Sequence, residues 1–207
     1  MKLYMHPVST AARPVRLLIA ENSIACDEEL VDLTTGAHHQ EPYASLNPSR
    51  LVPMLDDDGF RLTESSAILK YLADKYDLAC YPKDLKKRAR VNEVMDWFNT
   101  QFYRDFGYGL VYPQLFPHHK RRSDEAHAGA IAWGQQGAKN WLQILNDHWI
   151  GPKSRYLCGD AAASARKAGR RDAENDRSWQ RHFKYLVVSA AARRPLGADG
   201  TVVVQED

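Results

Sequence analysis

Tyr4-Met5-His6-Pro7-Val8-Ser9-Thr10-Ala11-Ala12-Arg13-Pro14-Val15-Arg16 decides how the chain folds. A short apolar strand enters a turn, passes two hydroxyl residues and runs into the start of a helix. Pro14 fits the first turn of that helix, where a missing N–H removes no intrahelical hydrogen bond. Leu17, Leu18 and Ala20 carry an apolar helical face on towards Glu21-Asn22. A hydroxyl at a strand-to-helix turn lies beside free backbone N–H groups and the positive end of a helix dipole. That setting binds or stabilises an anion. Taken alone, Ser9 or Thr10 reads as a simple N-cap; the segments that follow change that reading.

Leu51-Val52-Pro53-Met54-Leu55 reads as a loop entering a short strand through a Val-Pro bond. Pro is tolerated at the first residue of a strand, and an X-Pro bond is the place where a cis peptide can occur. Asp56-Asp57-Asp58-Gly59 reads as a hairpin turn and Phe60-Arg61-Leu62 as the return strand. Thr63-Glu64-Ser65-Ser66 then opens a helix whose apolar positions are Ile68, Leu69, Leu72 and Ala73. With a strand from Glu28 to Asp32, the order is strand, helix, strand, helix, hairpin, helix. That is the order of a thioredoxin-like α/β domain.

On these residues the chain resembles a family. His6-Pro7-Val8-Ser9-Thr10, Gly36-Ala37-His38, Leu46-Asn47-Pro48, Val52-Pro53 and Thr63-Glu64-Ser65-Ser66-Ala67-Ile68 occur in the order and at the spacing of glutathione transferases of the serine type. The likeness is to the theta and insect delta classes and their bacterial relatives, and it covers residues 1 to about 160. Each motif is weak singly; the five together are specific. The resemblance implies a thioredoxin-like N-terminal domain over 1–78, a linker over 79–87 and an all-α domain over 88–160. It further implies a cis Val52–Pro53 bond that aims the Val52 backbone at the cysteinyl unit of glutathione.

Glutathione as a thiol is a poor nucleophile, with a pKa of about 8.5. Making it mostly thiolate at neutral pH takes a fall of roughly two units, or about 2.7 kcal/mol. One hydrogen bond to a charged group supplies about 1.5–3 kcal/mol, so one hydroxyl beside a helix N-terminus suffices. Ser9 is the expected catalytic donor and Thr10 the reserve. Tyr4 competes, because other classes place a Tyr at the end of this strand, but here that place falls on Met5 and Tyr4 points to the opposite face. For the rest of glutathione, Ser65 offers N-terminal donors to the γ-glutamyl carboxylate. Ser66 stands beside it, where relatives often carry Arg. Glu64 suits the α-amino group, and by resemblance His38 and Arg50 take the glycine carboxylate. Glu64 also reads as dipole-favoured helix-start chemistry with no ligand. A dithiol redox role is excluded at this turn, because Ser9-Thr10-Ala11-Ala12 carries no thiol.

Composition agrees with a soluble enzyme. The chain has 207 residues, 44% of them hydrophobic, enough for a substantial core. No apolar run is long enough for a bilayer, and the N-terminus lacks a signal-peptide apolar region. Cys26, Cys80 and Cys158 are a scattered odd set that fits a reducing cytosol. Neither they nor the adjacent pairs His38-His39 and His118-His119 have metal-ligand spacing, so no metal is expected. Of 28 basic and 26 acidic residues, 9 and 6 lie in 161–207, leaving 19 and 20 in 1–160. The body is therefore not basic, and no nucleic-acid surface is expected. Lys86-Lys87-Arg88-Ala89-Arg90 reads as a solvated helix face.

After Tyr81-Pro82-Lys83-Asp84 the pattern turns to long helices. One starts near Leu85, with Val91, Met95, Phe98, Phe102, Phe106 and Leu110 spaced three or four apart, and Pro113 and Pro117 end it. A second runs from about Ser123 to Trp149. The family sets its hydrophobic substrate pocket against the first of these, which points to Tyr103, Phe106 and Tyr112. After Asp160 the pattern stops. Relatives continue with a capping box and a buried central helix; here Ala161-Ala162-Ala163-Ser164 leads into an Arg-rich tail over 161–207, read as a shifted reading frame or a replaced terminus. The helical domain is then incomplete.

The expectation is a cytoplasmic glutathione transferase acting in detoxification. It takes glutathione as cosubstrate and a small electrophile as partner, and forms a homodimer. Two alternatives stand beside it: glutathione-dependent dehalogenation or peroxide reduction, and a non-catalytic glutathione-binding module.

Overall fold

The computed structural model describes residues 1–150. The expected tail over 161–207 lies outside the described residues. Those described fall into two compact units, the first ending at Tyr81 and the second beginning at Pro82.

The first unit is built on β1 (Lys2–Met5), flanked by β2 (Asp27–Leu30) and β3 (Met54–Asp57), with β4 (Phe60–Leu62) beyond β3. β2 runs parallel to β1, while β3 is antiparallel to both β1 and β4. Alternation along β1 buries Leu3 and Met5 and leaves Tyr4 partly covered on the other face. The Leu3 face is covered by α1 (Ala12–Glu21) and α3 (Ser65–Lys75), which pack on each other through buried faces that include Val15, Leu18, Ile68 and Leu72. On the opposite face Tyr4 joins a cluster of Val31, Tyr43, Val52 and Met54, with Tyr43 supplied by the short α2 (Tyr43–Leu46). The β3–β4 turn is Asp58-Gly59, with φ of 53° and 91°. Two successive positive φ values make it the Asp-Gly hairpin turn that the sequence predicts. β2 is shorter than the predicted 28–32. It is an exposed edge strand, although Val31 N–H still donates to the Met5 carbonyl at 2.9 Å.

In the second unit α4 (Leu85–Trp97) is capped by Asp84, whose carboxylate accepts Lys87 N–H at 2.9 Å. Its course continues through π-type segments Phe98–Phe102 and Arg104–Val111. Gly107 and Gly109, poor helix formers, sit in that stretch. Pro113 does not end the helix as the sequence suggests. It lies in the first turn of α5 (Tyr112–Leu115), where its missing N–H is not needed, and the chain turns extended at Phe116 before Pro117. α6 (Asp124–Ile144) is capped by Ser123, which accepts Ala126 N–H at 3.2 Å, and runs on in a π-type segment, Leu145–Ile150. α6 packs against the Arg104–Val111 segment. Lys86, Lys87 and Arg90 are exposed, as a solvated face requires.

Candidate functional site

Strand register gathers the predicted residues of the first unit at one end of its sheet. Met5 at the end of β1 lies beside Leu30 at the end of β2, and Tyr4 beside Met54 at the start of β3. Leu62, ending β4, lies beside Leu55. The turn with Ser9, the loop from Asp32 to His39, the Val52–Pro53 bond and the Thr63–Ser66 segment therefore all leave the sheet at this end.

Ser9 sits just before α1, half-buried. Its N–H donates to the His6 carbonyl at 3.0 Å, its carbonyl accepts Arg13 N–H at 3.2 Å, and its hydroxyl oxygen accepts Ala12 N–H at 3.1 Å. The hydroxyl thus caps the helix, as its simplest reading holds. A hydroxyl that accepts one bond keeps its own O–H to give away, and the accepted bond polarises it. Capping and donation to an anion are compatible in one group. Tyr4 packs its ring 5.7 Å from that of Tyr43, on the other face of the sheet.

The Val52–Pro53 peptide is cis, as the family resemblance implies. The loop before it is held by buried polar groups. Asn47, 2% exposed, donates to the Leu51 carbonyl at 2.7 Å, and the Tyr43 hydroxyl donates to the same oxygen. Asn47 Oδ1 accepts Ser49 N–H at 3.1 Å. Arg50 follows with φ 55° and is exposed. Glu64 is exposed at φ 63°, ψ 112°, a backbone conformation non-glycine residues rarely adopt, and its carbonyl accepts Ile68 N–H at 3.0 Å. Strain of this kind clusters at ligand clamps. Ser65 and Ser66 are the first two residues of α3, both half-buried. His38 lies in a 3₁₀ turn, Ala37–His39, entered through Gly36 at φ 75°.

Three residues of this end were not singled out from the sequence. His6 is 9% exposed, and its Nδ1 accepts Val8 N–H at 3.2 Å. Its Nε2 lies 3.8 Å from Asp32 Oδ1. Asp32 is itself held by Thr34, whose N–H and hydroxyl donate at 2.8 and 2.6 Å and keep the carboxyl below the usual carboxylate range. A His followed by Pro at a strand end, ahead of a hydroxyl, is the signal that could have flagged it.

In the second unit Phe106 is buried and stacks on Phe102, with centroids 5.1 Å apart. Tyr103 and Tyr112 are half-buried, with their hydroxyls in contact and their rings edge-on at 6.0 Å. Among the described residues no group of three or more His, Cys, Asp or Glu is placed to hold a metal ion. Among the described residues no helix is long and apolar enough to cross a membrane.

Residues 1–74 match the family model for the glutathione S-transferase N-terminal domain. Human glutathione S-transferase theta-2B is 37% identical over 167 residues, covering 80% of this chain and 67% of that protein. The chain belongs to the glutathione transferase family. Human glutathione S-transferase theta-1 is 39% identical over 119 residues, 56% of this chain and 50% of that protein. Dichloromethane dehalogenase of Methylophilus leisingeri is 29% identical over 161 residues, 75% of this chain and 58% of that protein. The chain thus spans about half the length of the first curated relatives it matches. Among solved structures, human glutathione transferase theta-2 in complex with glutathione superposes with a TM-score of 0.68 at 25% identity, covering 93% of this chain and 86% of that one. The thioredoxin-like mixed sheet followed by helices is therefore the glutathione transferase architecture.

Proposed function

We propose that the chain is a glutathione transferase that joins the glutathione thiolate to a small electrophile, with Ser9 as the group that stabilises the thiolate. The observation that carries this reading is the Ser9 hydroxyl at the N-terminus of α1: it accepts Ala12 N–H and keeps its proton for an anion. The free energy required, about 2.7 kcal/mol for two pKa units, lies within the range of one hydrogen bond to a charged acceptor. Glu64, Ser65 and Ser66 hold the γ-glutamyl end, the Val52 backbone beside Pro53 the cysteinyl unit, and His38 and Arg50 the glycine carboxylate. Glutathione is the cosubstrate. The glutathione-binding domain is the first unit and the helical domain the second, which enters α4 at Leu85 rather than at 88; there Tyr103, Phe106 and Tyr112 serve the electrophile. The working form is a cytoplasmic homodimer with a role in detoxification.

Ser9→Ala tests the reading. The thiolate absorbance of bound glutathione should titrate about two pH units higher, and conjugation should slow about a hundredfold. Glutathione affinity should change little, because the rest of the tripeptide is held elsewhere. Full activity in Ser9→Ala, with loss in Thr10→Ala or Tyr4→Phe, would move the role to another hydroxyl. Retention on immobilised glutathione without turnover of any electrophile would reduce the chain to a binding module. The similarity to dichloromethane dehalogenase supports a second substrate class for the same thiolate, halogenated alkanes, read out as halide release.

A further inference from the structure

We propose that His6 is a positioning residue: its ring fixes the turn that presents the Ser9 hydroxyl. The inference rests on the assignment of Ser9 above and goes one residue further back. The turn after β1 contains Pro7, which has no N–H, so its backbone donors are those of Val8 and Ser9. His6 accepts both, Val8 N–H on ring Nδ1 at 3.2 Å and Ser9 N–H on its main-chain carbonyl at 3.0 Å. A bond accepted at Nδ1 requires that nitrogen to be unprotonated, which places the ring proton of the neutral form on Nε2. Nε2 faces Asp32 Oδ1 at 3.8 Å, too long for a hydrogen bond but within reach of its charge. Asp32 is locked in turn by two donors from Thr34. Thr34, Asp32, His6 and Val8 thus form a continuous chain of contacts that ends one residue from the proposed catalytic hydroxyl.

The functional consequence is geometric. Ser9 has its hydroxyl tied to Ala12 N–H at one end and its own N–H to the His6 carbonyl at the other. Release of the Val8 bond frees the His6 side of that clamp. A displacement of about 1 Å at a reacting group can slow a reaction by up to a hundredfold.

The two amide substitutions separate positioning from mere packing. Asn places an amide oxygen near the position of Nδ1 and can accept Val8 N–H; Gln carries its amide further out, towards the position of Nε2. In His6→Gln and His6→Leu the bound glutathione thiol should titrate higher and kcat should fall about tenfold, with KM for glutathione within about twofold. His6→Asn should stay within about threefold of the parent kcat. Equal loss in Asn and Gln, or an unchanged thiolate titration in Leu, overturns the proposal. Should the substitutions unfold the chain, nitrogen NMR of the His6 ring in the unaltered protein decides it: a proton on Nδ1 overturns the assignment, an unprotonated Nδ1 and protonated Nε2 support it. Ser9→Ala in the same series keeps the two readings apart. If Ser9→Ala leaves the thiolate titration unmoved, the Ser9 assignment falls and takes this one with it; if Ser9→Ala shifts it and His6→Leu does not, the His6 proposal alone falls.

Discussion

Gly134 lies directly on the backbone of Gly109: a Cβ built on Gly134 would stand 2.4 Å from the Gly109 carbonyl carbon and 2.8 Å from Leu110 N. The crossing of α6 over the Arg104–Val111 segment is therefore made by two residues without side chains. Along the same face, Trp141 donates its indole N–H to the buried Asp105 at 2.6 Å, and a Cβ on Gly137 would meet Asp105 Oδ2 at 2.7 Å. Arg104 pairs with Asp105 from the exposed side.

Gly134→Ala must push two helices apart, because the obstructing atoms are backbone. It should lose about 1–3 kcal/mol of stability, the usual penalty for overpacking. Gly129, exposed in the same helix with open space around it, is the control. Gly129→Ala should gain up to about 1 kcal/mol from helix propensity alone. Denaturant unfolding of the two variants checks the contrast, and equal effects would refute the tight crossing.

Asp57 gives the first unit a pH window. Its carboxylate, nearly buried at the end of β3, accepts from Lys75 and Tyr71 of α3. The Lys75 bond, then the Tyr71 bond, hold the Asp57 carboxyl below its ordinary range, and the Asp57 bond raises the Lys75 ammonium above its own. For Asp57 the folded value is the lower one. Its stabilisation is therefore complete above the unfolded value of about 3.9 and is lost as pH falls through the folded value. For Lys75 the folded value is the higher one, so its stabilisation is complete below about 10.4 and is lost as pH rises through the folded value. Stability against pH should thus be flatter on both limbs in Asp57→Asn than in the parent. Identical acid limbs would show that the pair contributes nothing.

The candidate site was more legible than the helix packing, for a physical reason. Ser9 with Pro14, Val52 with Pro53 and Asp58 with Gly59 are local signals, in which one residue type fixes the backbone a few positions away. The hairpin and the helix starts follow from such signals alone, and the cis bond from the family resemblance. The crossing of Gly109 with Gly134, and the bond between Asp105 and Trp141, join residues 25 and 36 apart in sequence. Nothing local announces them. The π-type course from Phe98 hides for a related reason: apolar residues three or four apart suit both helix types, and only the hydrogen bonds distinguish them. His6 was visible as part of a motif, but its proposed role involves Asp32, which reaches it only once β2 lies beside β1.

Asn47 couples stability to the proposed glutathione contacts. It is almost fully buried, donates to the Leu51 carbonyl and accepts Ser49 N–H, so it holds both sides of the loop that leads into Val52–Pro53. Asn47→Ala leaves Ser49 N–H without its acceptor and removes one of the two donors on the Leu51 oxygen. The expected loss is about 1–3 kcal/mol. Tyr43→Phe removes the other donor to Leu51, whose oxygen keeps the Asn47 bond, together with the longer bond of 3.3 Å that the Asn47 amide gives the Tyr43 hydroxyl, and should lose about 1 kcal/mol. If the Val52 backbone binds the cysteinyl unit, Asn47→Ala should also raise KM for glutathione several-fold while kcat falls less, the reverse of the pattern expected for Ser9→Ala. Unfolding curves and initial-rate kinetics on the same preparations separate the two effects. A stability loss with KM unchanged would leave Asn47 a purely structural clamp and remove Val52 from the proposed binding surface.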